Sequence, residues 1–326
     1  TRKRLRHSSP PLLRKRETLV AFSGPDFKAT FDKQSGLLTS YLYKKHEYIL
    51  NGQGPRPFFW RAPTDNDYGA NLPRPPQSLE RGKLSRTKSR KFPVTPGSNA
   101  TTIKVTYRFP QTDARWDITY KIYASGVIKV DNRFVAEGDQ APMIPRVGLR
   151  MQLPESFTDL TYYGRGPKEN YRDRRTSQFI GEYAIPVKDM YEPYVRPQEN
   201  NHRTDIYWCA LTDKTQRGLL LIADRTFELN TSNYPLESMD SGDTIDNSAP
   251  RTEKTHHRHL TDPLPEKMVD LFIDYRMMGV GGDDSWGATA HEPYLIRPGK
   301  ENAIEYGFSL VPFDKKEDYK YLIRQY

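Results

Sequence analysis

The segment with the clearest chemical potential runs from Tyr275 to Trp286 and reads YRMMGVGGDDSW. Glycine allows backbone angles and close approaches that other residues resist. Aspartate and serine can hydrogen-bond nearby backbone N–H groups and fix a turn. We therefore predict a tightly shaped loop that presents the ring of Trp286. The residues that would shape this loop are Gly281, Gly282, Asp283, Asp284 and Ser285.

Two interpretations of Trp286 follow from its chemistry. Its indole has a flat apolar face and one N–H donor, which suits a sugar whose C–H face stacks on an aromatic ring. A tryptophan that follows a glycine turn can equally be a plug of the hydrophobic core. The residues alone leave both interpretations open.

Other polar clusters offer weaker signals for catalysis or metal binding. His256, His257 and His259 lie close together in THHRHL, but a zinc site usually needs three or four ligands and supporting partners. We expect these histidines to bond backbone or carboxylate groups and predict no metal site. Neighbouring acids such as Asp283 and Asp284 diverge on a loop, so they do not form the carboxylate pair of a glycosidase. Phosphate-binding, dinucleotide-binding and G-x-S-x-G motifs are absent from the sequence.

The elements that must position these residues are predicted to be β-strands. Period-two alternation predicts strands at 101–109, 116–124 and 127–135, and Ser125-Gly126 predicts a hairpin turn between the last two. Further strands are predicted at 27–32, 37–43, 147–153, 159–164, 218–223, 270–277 and 303–311. Many short strands with turn signals predict an all-β fold, a large antiparallel sandwich or barrel. Helical turns are expected only at 168–175 and after Asp314, which would cap a helix through 315–325.

The charge of the chain is concentrated in a few segments. The net charge is +9, and residues 1–16 alone hold seven Lys or Arg and no acid. We predict that 1–16 is a basic linker or tail and that 17–326 is one domain. A second basic run, 81–91, has no interleaved aromatics, which is typical of a solvated loop. We therefore predict no nucleic-acid partner.

Membrane and redox signals are equally sparse. No apolar run reaches the length of a membrane span, so no membrane partner is predicted. The single cysteine, Cys209, allows no intrachain disulfide. We expect a soluble protein and leave its compartment, cytoplasmic or periplasmic, open.

Five motifs, taken together and in order, resemble a known family. They are FFWRAPTDND, YYGRGPKENYRDR, MYEPYVRPQENN, THHRHL and MGVGGDDSW. In this order they are similar to the C-terminal domain, or small chain, of large bacterial β-galactosidases of glycoside hydrolase family 2. The resemblance covers roughly residues 17–326.

The resemblance implies a β-supersandwich of the galactose-mutarotase-like type within a β-galactosidase. It implies that the catalytic glutamates and the Mg²⁺ ligands lie on a separate barrel domain, and that the full enzyme uses Mg²⁺ and Na⁺. No catalytic residue and no cofactor are then expected in this chain. It also implies that Trp286 reaches the galactose pocket, that the barrel domain is a partner on the same or another chain, and that the whole enzyme is a homo-oligomer.

Two alternatives remain at this stage. A free-standing aldose mutarotase would need a His general acid and a Glu general base, for which His257 or His259 with Glu169 or Glu199 could be proposed. A carbohydrate-binding or purely structural domain would need no catalytic pair.

Overall fold

The computed structural model describes residues 10–72, 92–109, 113–136, 143–240, 259–284 and 286–324. These residues form seventeen β-strands and two short α-helices, with a few single turns of 3₁₀-helix. The strands are β1 (Leu12–Lys15), β2 (Leu19–Ser23), β3 (Phe27–Asp32), β4 (Leu38–Tyr43), β5 (His46–Glu47), β6 (Arg56–Phe58), β7 (Val94–Pro96), β8 (Ala100–Phe109), β9 (Ala114–Tyr123), β10 (Ile128–Ala136), β11 (Arg146–Pro154), β12 (Phe157–Gly166), β13 (Phe179–Pro186), β14 (Arg203–Asp213), β15 (Gly218–Ser232), β16 (Met268–Met277) and β17 (Ile304–Phe313). The helices are α1 (Asp65–Gly69) and α2 (Tyr319–Ile323).

The first sheet has five antiparallel strands in the order β1-β2-β3-β4-β5. Its β3–β4 hairpin turns because Asp32 Oδ1 accepts hydrogen bonds from the backbone N–H groups of Gln34 and Ser35 at 2.8 and 2.6 Å. Gly36 then takes a φ of +76°, which a residue with a Cβ rarely adopts. The predicted strands at 27–32 and 37–43 are thereby confirmed.

The second sheet has twelve strands, and its main path runs β13-β12-β14-β15-β17-β10-β9-β8-β7. Three strands lie off this path. Strand β16 pairs with β15, β11 pairs with β16, and β6 pairs with β11. The predicted hairpin between β9 and β10 is present, with Gly126 at a φ of +89°. These two antiparallel sheets confirm the predicted all-β class.

Strand β15 changes neighbours along its length. Residues 218–223 pair with β17, whereas residues 228–232 pair with β16 on the same side. Strand β14 runs along the opposite side of β15. Strands β16 and β17 therefore diverge beside residues 224–227, and a cleft opens at that point.

The main hydrophobic core joins the five-stranded sheet to strands β8–β12 and β14–β17 of the second sheet. Strand β8 shows the alternation of buried and exposed residues that the sequence predicts. The rings of Phe31 and Tyr120 meet edge to face across the interface, with centroids 5.1 Å apart. The Tyr41 hydroxyl donates to the carbonyl of Gly126 at 2.5 Å, so even the buried polar group is satisfied.

Three local predictions differ from the structure. Residues 12–15 pair with 20–23 as an edge strand, so the folded domain begins before residue 17. Asp318, not Asp314, caps the last helix, because its side chain accepts from the N–H of Lys320 at 2.9 Å. Residues 168–175 contain no helical turn, since Tyr171 and Arg174 form a bridge instead.

Candidate functional site

The loop that follows β16 is braced at its base by one buried arginine. Arg61 is only 2% exposed. Its Nη1 donates to the carbonyl oxygens of Met278 and Gly279 at 2.8 and 3.1 Å, and its Nη2 donates to Gly279 at 3.1 Å. The two residues that begin the loop are therefore fixed by hydrogen bonds that a charged donor strengthens.

Arg61 is itself oriented by helix α1. Its Nε and Nη2 donate to the two carboxylate oxygens of Asp67 at 2.9 and 2.7 Å. Asp67 also closes a reciprocal cap with Thr64, which fixes the start of the helix. Burial alone would lower the pKa of Arg61, but the charge and hydrogen bonds of Asp67 more than offset it and raise the pKa. Arg61 thus stays charged where it holds the loop.

Two further side chains hold the outer part of the loop. Asn66 Nδ2 donates to the carbonyl of Asp284 at 3.0 Å. The N–H of Gly281 donates to Asp173 Oδ2 at 2.7 Å. Segments from WRAPTDND, YYGRGPKENYRDR and MGVGGDDSW, distant in sequence, therefore meet around one loop.

Backbone approaches at this loop leave no room for side chains. A Cβ at Gly69 would lie 2.3 Å from the carbonyl oxygen of Trp286, and one at Gly287 would lie 2.6 Å from the carbonyl carbon of Gly69. Gly287 also has a φ of +128°. A Cβ at Gly282 would lie 2.3 Å from the carbonyl oxygen of Ala288. Gly282, one of the two glycines predicted to shape the loop, is therefore also required by a close backbone contact.

Asp284 shapes the turn that carries Trp286. Its Oδ1 accepts from the N–H groups of Trp286 and Ala288 at 2.8 and 3.1 Å, and these donors lower the pKa of the carboxyl. Asp283 makes an exposed contact of 2.8 Å with His291. Ser285 lies outside the described residues.

Trp286 projects from this braced loop, with 83% of its surface exposed. The core-plug interpretation is therefore wrong for this chain. A large ring held on a rigid backbone and open to solvent has the form of a contact platform. Binding of a sugar to it stays a prediction.

Within the described residues, the candidates for a mutarotase acid–base pair do not come together. Glu169 accepts from the N–H of Asn201 at 2.6 Å and also contacts Arg174 and Tyr194. Glu199 is 2% exposed and accepts from Asn230 Nδ2 at 3.0 Å. His259 is exposed and contacts neither glutamate, while His256 and His257 lie outside the described residues.

A buried charge network beneath the loop was not anticipated from the sequence. Glu228 Oε2 accepts from the N–H of Met277 at 2.7 Å and contacts His202 Nε2 at 3.0 Å, while Arg172 Nε donates to its other oxygen at 2.7 Å. Burial would raise the pKa of Glu228, but His202 and Arg172 outweigh it and lower the pKa. The ionised carboxylate therefore anchors the end of β16, directly before the loop.

In a second buried cluster, the guanidinium of Arg146 lies between the carboxyl groups of Asp274 and Glu199. Arg146 Nε lies 3.1 Å from Asp274 Oδ2, and its Nη2 lies 3.5 Å from Glu199 Oε1. Burial, only partly offset by Arg146, raises the pKa of Asp274 to about 7. Burial therefore favours the protonated form of Asp274 over a wider pH range than for a free carboxyl.

Metal and membrane features can be judged for the described ranges. Between residues 10 and 324, outside the gaps stated above, there is no group of three His, Cys, Asp or Glu that could hold a metal ion. In the same ranges, no helix is long and apolar enough to cross a membrane.

Comparison with known proteins places these features in a family context. The family model for the beta galactosidase small chain matches residues 23–310. The beta-galactosidase of Priestia megaterium is 33% identical over 280 residues, covering 86% of this chain and 25% of that protein. The beta-galactosidase of Lactobacillus delbrueckii subsp. bulgaricus is 32% identical over 279 residues, covering 85% and 26%. The chain thus spans about a quarter of the length of these relatives.

Solved structures show the same fold at low sequence identity. The galactose 1-epimerase of Lactobacillus acidophilus superimposes with a TM-score of 0.50 at 6% identity, covering 93% of this chain and 98% of that one. This likeness confirms the galactose-mutarotase-like supersandwich as the fold and says nothing about activity.

Proposed function

The chain belongs to the β-galactosidase small-chain family, and from this membership we propose that it is the C-terminal domain of a β-galactosidase. Its role is to complete the galactose pocket of an enzyme that hydrolyses terminal β-D-galactosides. The chain covers about a quarter of its relatives, which supports a larger enzyme of which it is one part. We further assign that enzyme to glycoside hydrolase family 2.

The observation that carries this proposal is the exposed indole of Trp286 on its braced loop. The ring is 83% exposed, while the backbone beneath it is tied to Arg61, Asn66 and Asp173. Because the backbone that carries the ring is held before the ligand arrives, binding costs less conformational freedom. It therefore forms a suitable wall for one face of a galactose ring.

The chemistry itself is assigned to the rest of the enzyme. Glycosidic hydrolysis needs two carboxyl groups on either side of the scissile bond, and the glutamates of this chain that were considered are engaged in structural bonds. As the family resemblance implies, the catalytic glutamates and the Mg²⁺ ligands would lie on a separate barrel domain, and the full enzyme would hold Mg²⁺ and Na⁺. The assembled enzyme would be a homo-oligomer.

The test compares three purified proteins on a nitrophenyl β-galactoside. They are this chain alone, the longer enzyme, and the longer enzyme without residues 17–326. We expect turnover only from the intact enzyme, restored when the chain is added to the truncated form. Turnover by this chain alone, above a heat-inactivated control, would contradict the proposal. Full activity of the truncated enzyme would contradict it equally.

A further inference from the structure

The cleft where β16 and β17 diverge from β15 is a second candidate site. Its volume is about 920 Å³, which lies in the range of pockets that hold small molecules. Its walls come from β8, β9, β10, β15, β16 and β17, together with Arg172 of the loop after β12. The function proposed for Trp286 does not use this space.

The acidic residues of the cleft are already neutralised. Each of the four carboxylates that line it has a basic partner in the structure. The pairs are Asp117 with Arg115 at 3.1 Å, Asp131 with Lys121 at 3.2 Å, Glu305 with Arg133 at 3.0 Å, and Asp224 with Lys129. These carboxylates therefore leave little negative charge for a cationic ligand.

The arginines of the cleft are in the opposite state. Neither Arg225 nor Arg276 has a carboxylate or carbonyl acceptor among the described residues, and both line the cleft. The Arg276 guanidinium lies 5.2 Å from the ring centroid of Tyr275, and its Nε is buried without an acceptor. Arg172 uses its Nε on Glu228, so the two terminal nitrogens of its guanidinium remain for other partners.

Asn132 adds an uncommitted donor to the wall. It is only 4% exposed, and its Oδ1 accepts from Trp116 Nε1 at 3.1 Å. Because an indole N–H can only donate, this bond fixes the orientation of the amide. Asn132 Nδ2 then has no acceptor in the structure, although buried polar groups are normally paired.

We propose that this cleft binds a small molecule through an oxyanion, either a phosphate or a carboxylate group. The unpartnered nitrogen groups of the wall are donors: the guanidinium groups of Arg225 and Arg276, the terminal nitrogens of Arg172, and Asn132 Nδ2. Guanidinium groups recognise both oxyanions in bidentate geometry. Such a ligand would give Arg225 and Arg276 the acceptors that the described part of the chain does not supply. The cleft would thus be an anion site separate from the galactose pocket.

The test uses calorimetric titration of the 326-residue chain with inorganic phosphate, galacturonate and galactose. We expect at least one of the two anions to bind, with an affinity that falls as salt rises. The Arg225→Gln/Arg276→Gln double variant should weaken that binding about tenfold or more, equivalent to ~1.4 kcal/mol. The single variant Arg225→Gln, at an exposed position, should show part of the loss if the double variant folds poorly.

The matched control is Arg14→Gln, which removes the same charge from an exposed position on β1 of the other sheet. It should bind the anion as the parent chain does. The proposal is overturned if neither anion binds, if Arg14→Gln loses as much affinity as the cleft variants, or if neutral galactose binds as well as galacturonate. Binding of an acidic peptide alone, without either small anion, also overturns it. No arm measures galactoside hydrolysis, so failure here leaves the role of Trp286 untouched.

Discussion

Replacing Trp286 with alanine distinguishes a role in ligand contact from a role in the stability of the fold. The side chain is 83% exposed, so only about a sixth of its surface is covered within this chain. An aromatic side chain buries roughly 150–250 Å² when fully enclosed, and a sixth of that at about 25 cal/mol per Å² is ~1 kcal/mol. The N–H bond to Asp284 survives the change because it belongs to the backbone. We expect the melting temperature to fall by a few degrees at most.

The expected loss on the substrate side is larger. One sugar ring that covers one face of the indole removes roughly 100 Å² from water, worth ~2.5 kcal/mol at the same coefficient. That free energy corresponds to a loss of roughly 50- to 100-fold in kcat/KM. Trp286→Tyr should keep part of the activity, since it restores a flat ring of smaller area.

The assay measures kcat and KM of the assembled enzyme alongside its thermal unfolding. Phe179→Ala is the matched control, because it removes another ring, 73% exposed, from the edge strand β13. A raised KM alone would mean that Trp286 binds the substrate and the transition state equally well. A lowered kcat would mean that Trp286 binds the transition state more tightly than the substrate. The reasoning is refuted if Trp286→Ala unfolds the enzyme sharply while the remaining folded molecules keep normal kinetics. It is refuted as well if Phe179→Ala lowers kcat/KM to the same extent.

Three further outcomes are expected. Arg61→Met should lower the free energy of unfolding in urea by ~3–5 kcal/mol, because it leaves Asp67 buried without its partner; a loss under about 1 kcal/mol would contradict the brace. The folded pKa of Asp274 is raised above its unfolded value, so this group contributes stability at low pH that is lost as pH rises toward about 7. Asp274→Asn should therefore reduce the change in unfolding free energy, measured in urea, between low pH and about pH 7. An unchanged pH dependence would contradict the raised pKa of Asp274. Removing residues 1–16 deletes the largely exposed strand β1 and should cost ~1 kcal/mol, a shift of a few degrees, whereas removing 1–11 should shift the melting temperature less; equal shifts would show that β1 contributes nothing.

Much of the fold is predictable because several strands expose one face and bury the other. Strands β8 and β9 alternate almost perfectly, so period two shows them in the sequence. Strand β13 is mostly exposed at the edge of its sheet, and only Tyr183 and Ile185 pack against the core, so its apolar face is weak in the sequence. Strand β14 is buried on both faces over WCAL, and a continuous apolar run does not identify a strand by periodicity.

The candidate site was only partly predictable for a different reason. The Trp286 loop carries its own turn-forming residues, so it stands out in one stretch of sequence. Its supports do not, because helix α1 is a five-residue segment rich in Asp and Asn that depends on its Thr64 cap. The contact between His202 and Glu228 joins β15 to the residue just before β14, 26 positions apart. The available sequence signal was a charged residue at an inward-facing position of a strand.

The contact between Gly69 and Gly287 has a consequence for how this loop can vary in evolution. The two backbones approach so closely that a Cβ on either side would lie 2.6 Å or less from the other strand of the contact. A larger residue at one position cannot be compensated by a smaller one at the other, because glycine is already the smallest. We therefore expect lineages that keep the loop to keep both glycines, and the pair to show no correlated substitutions. Methods that infer contacts from covariation would therefore miss the contact that seats Trp286.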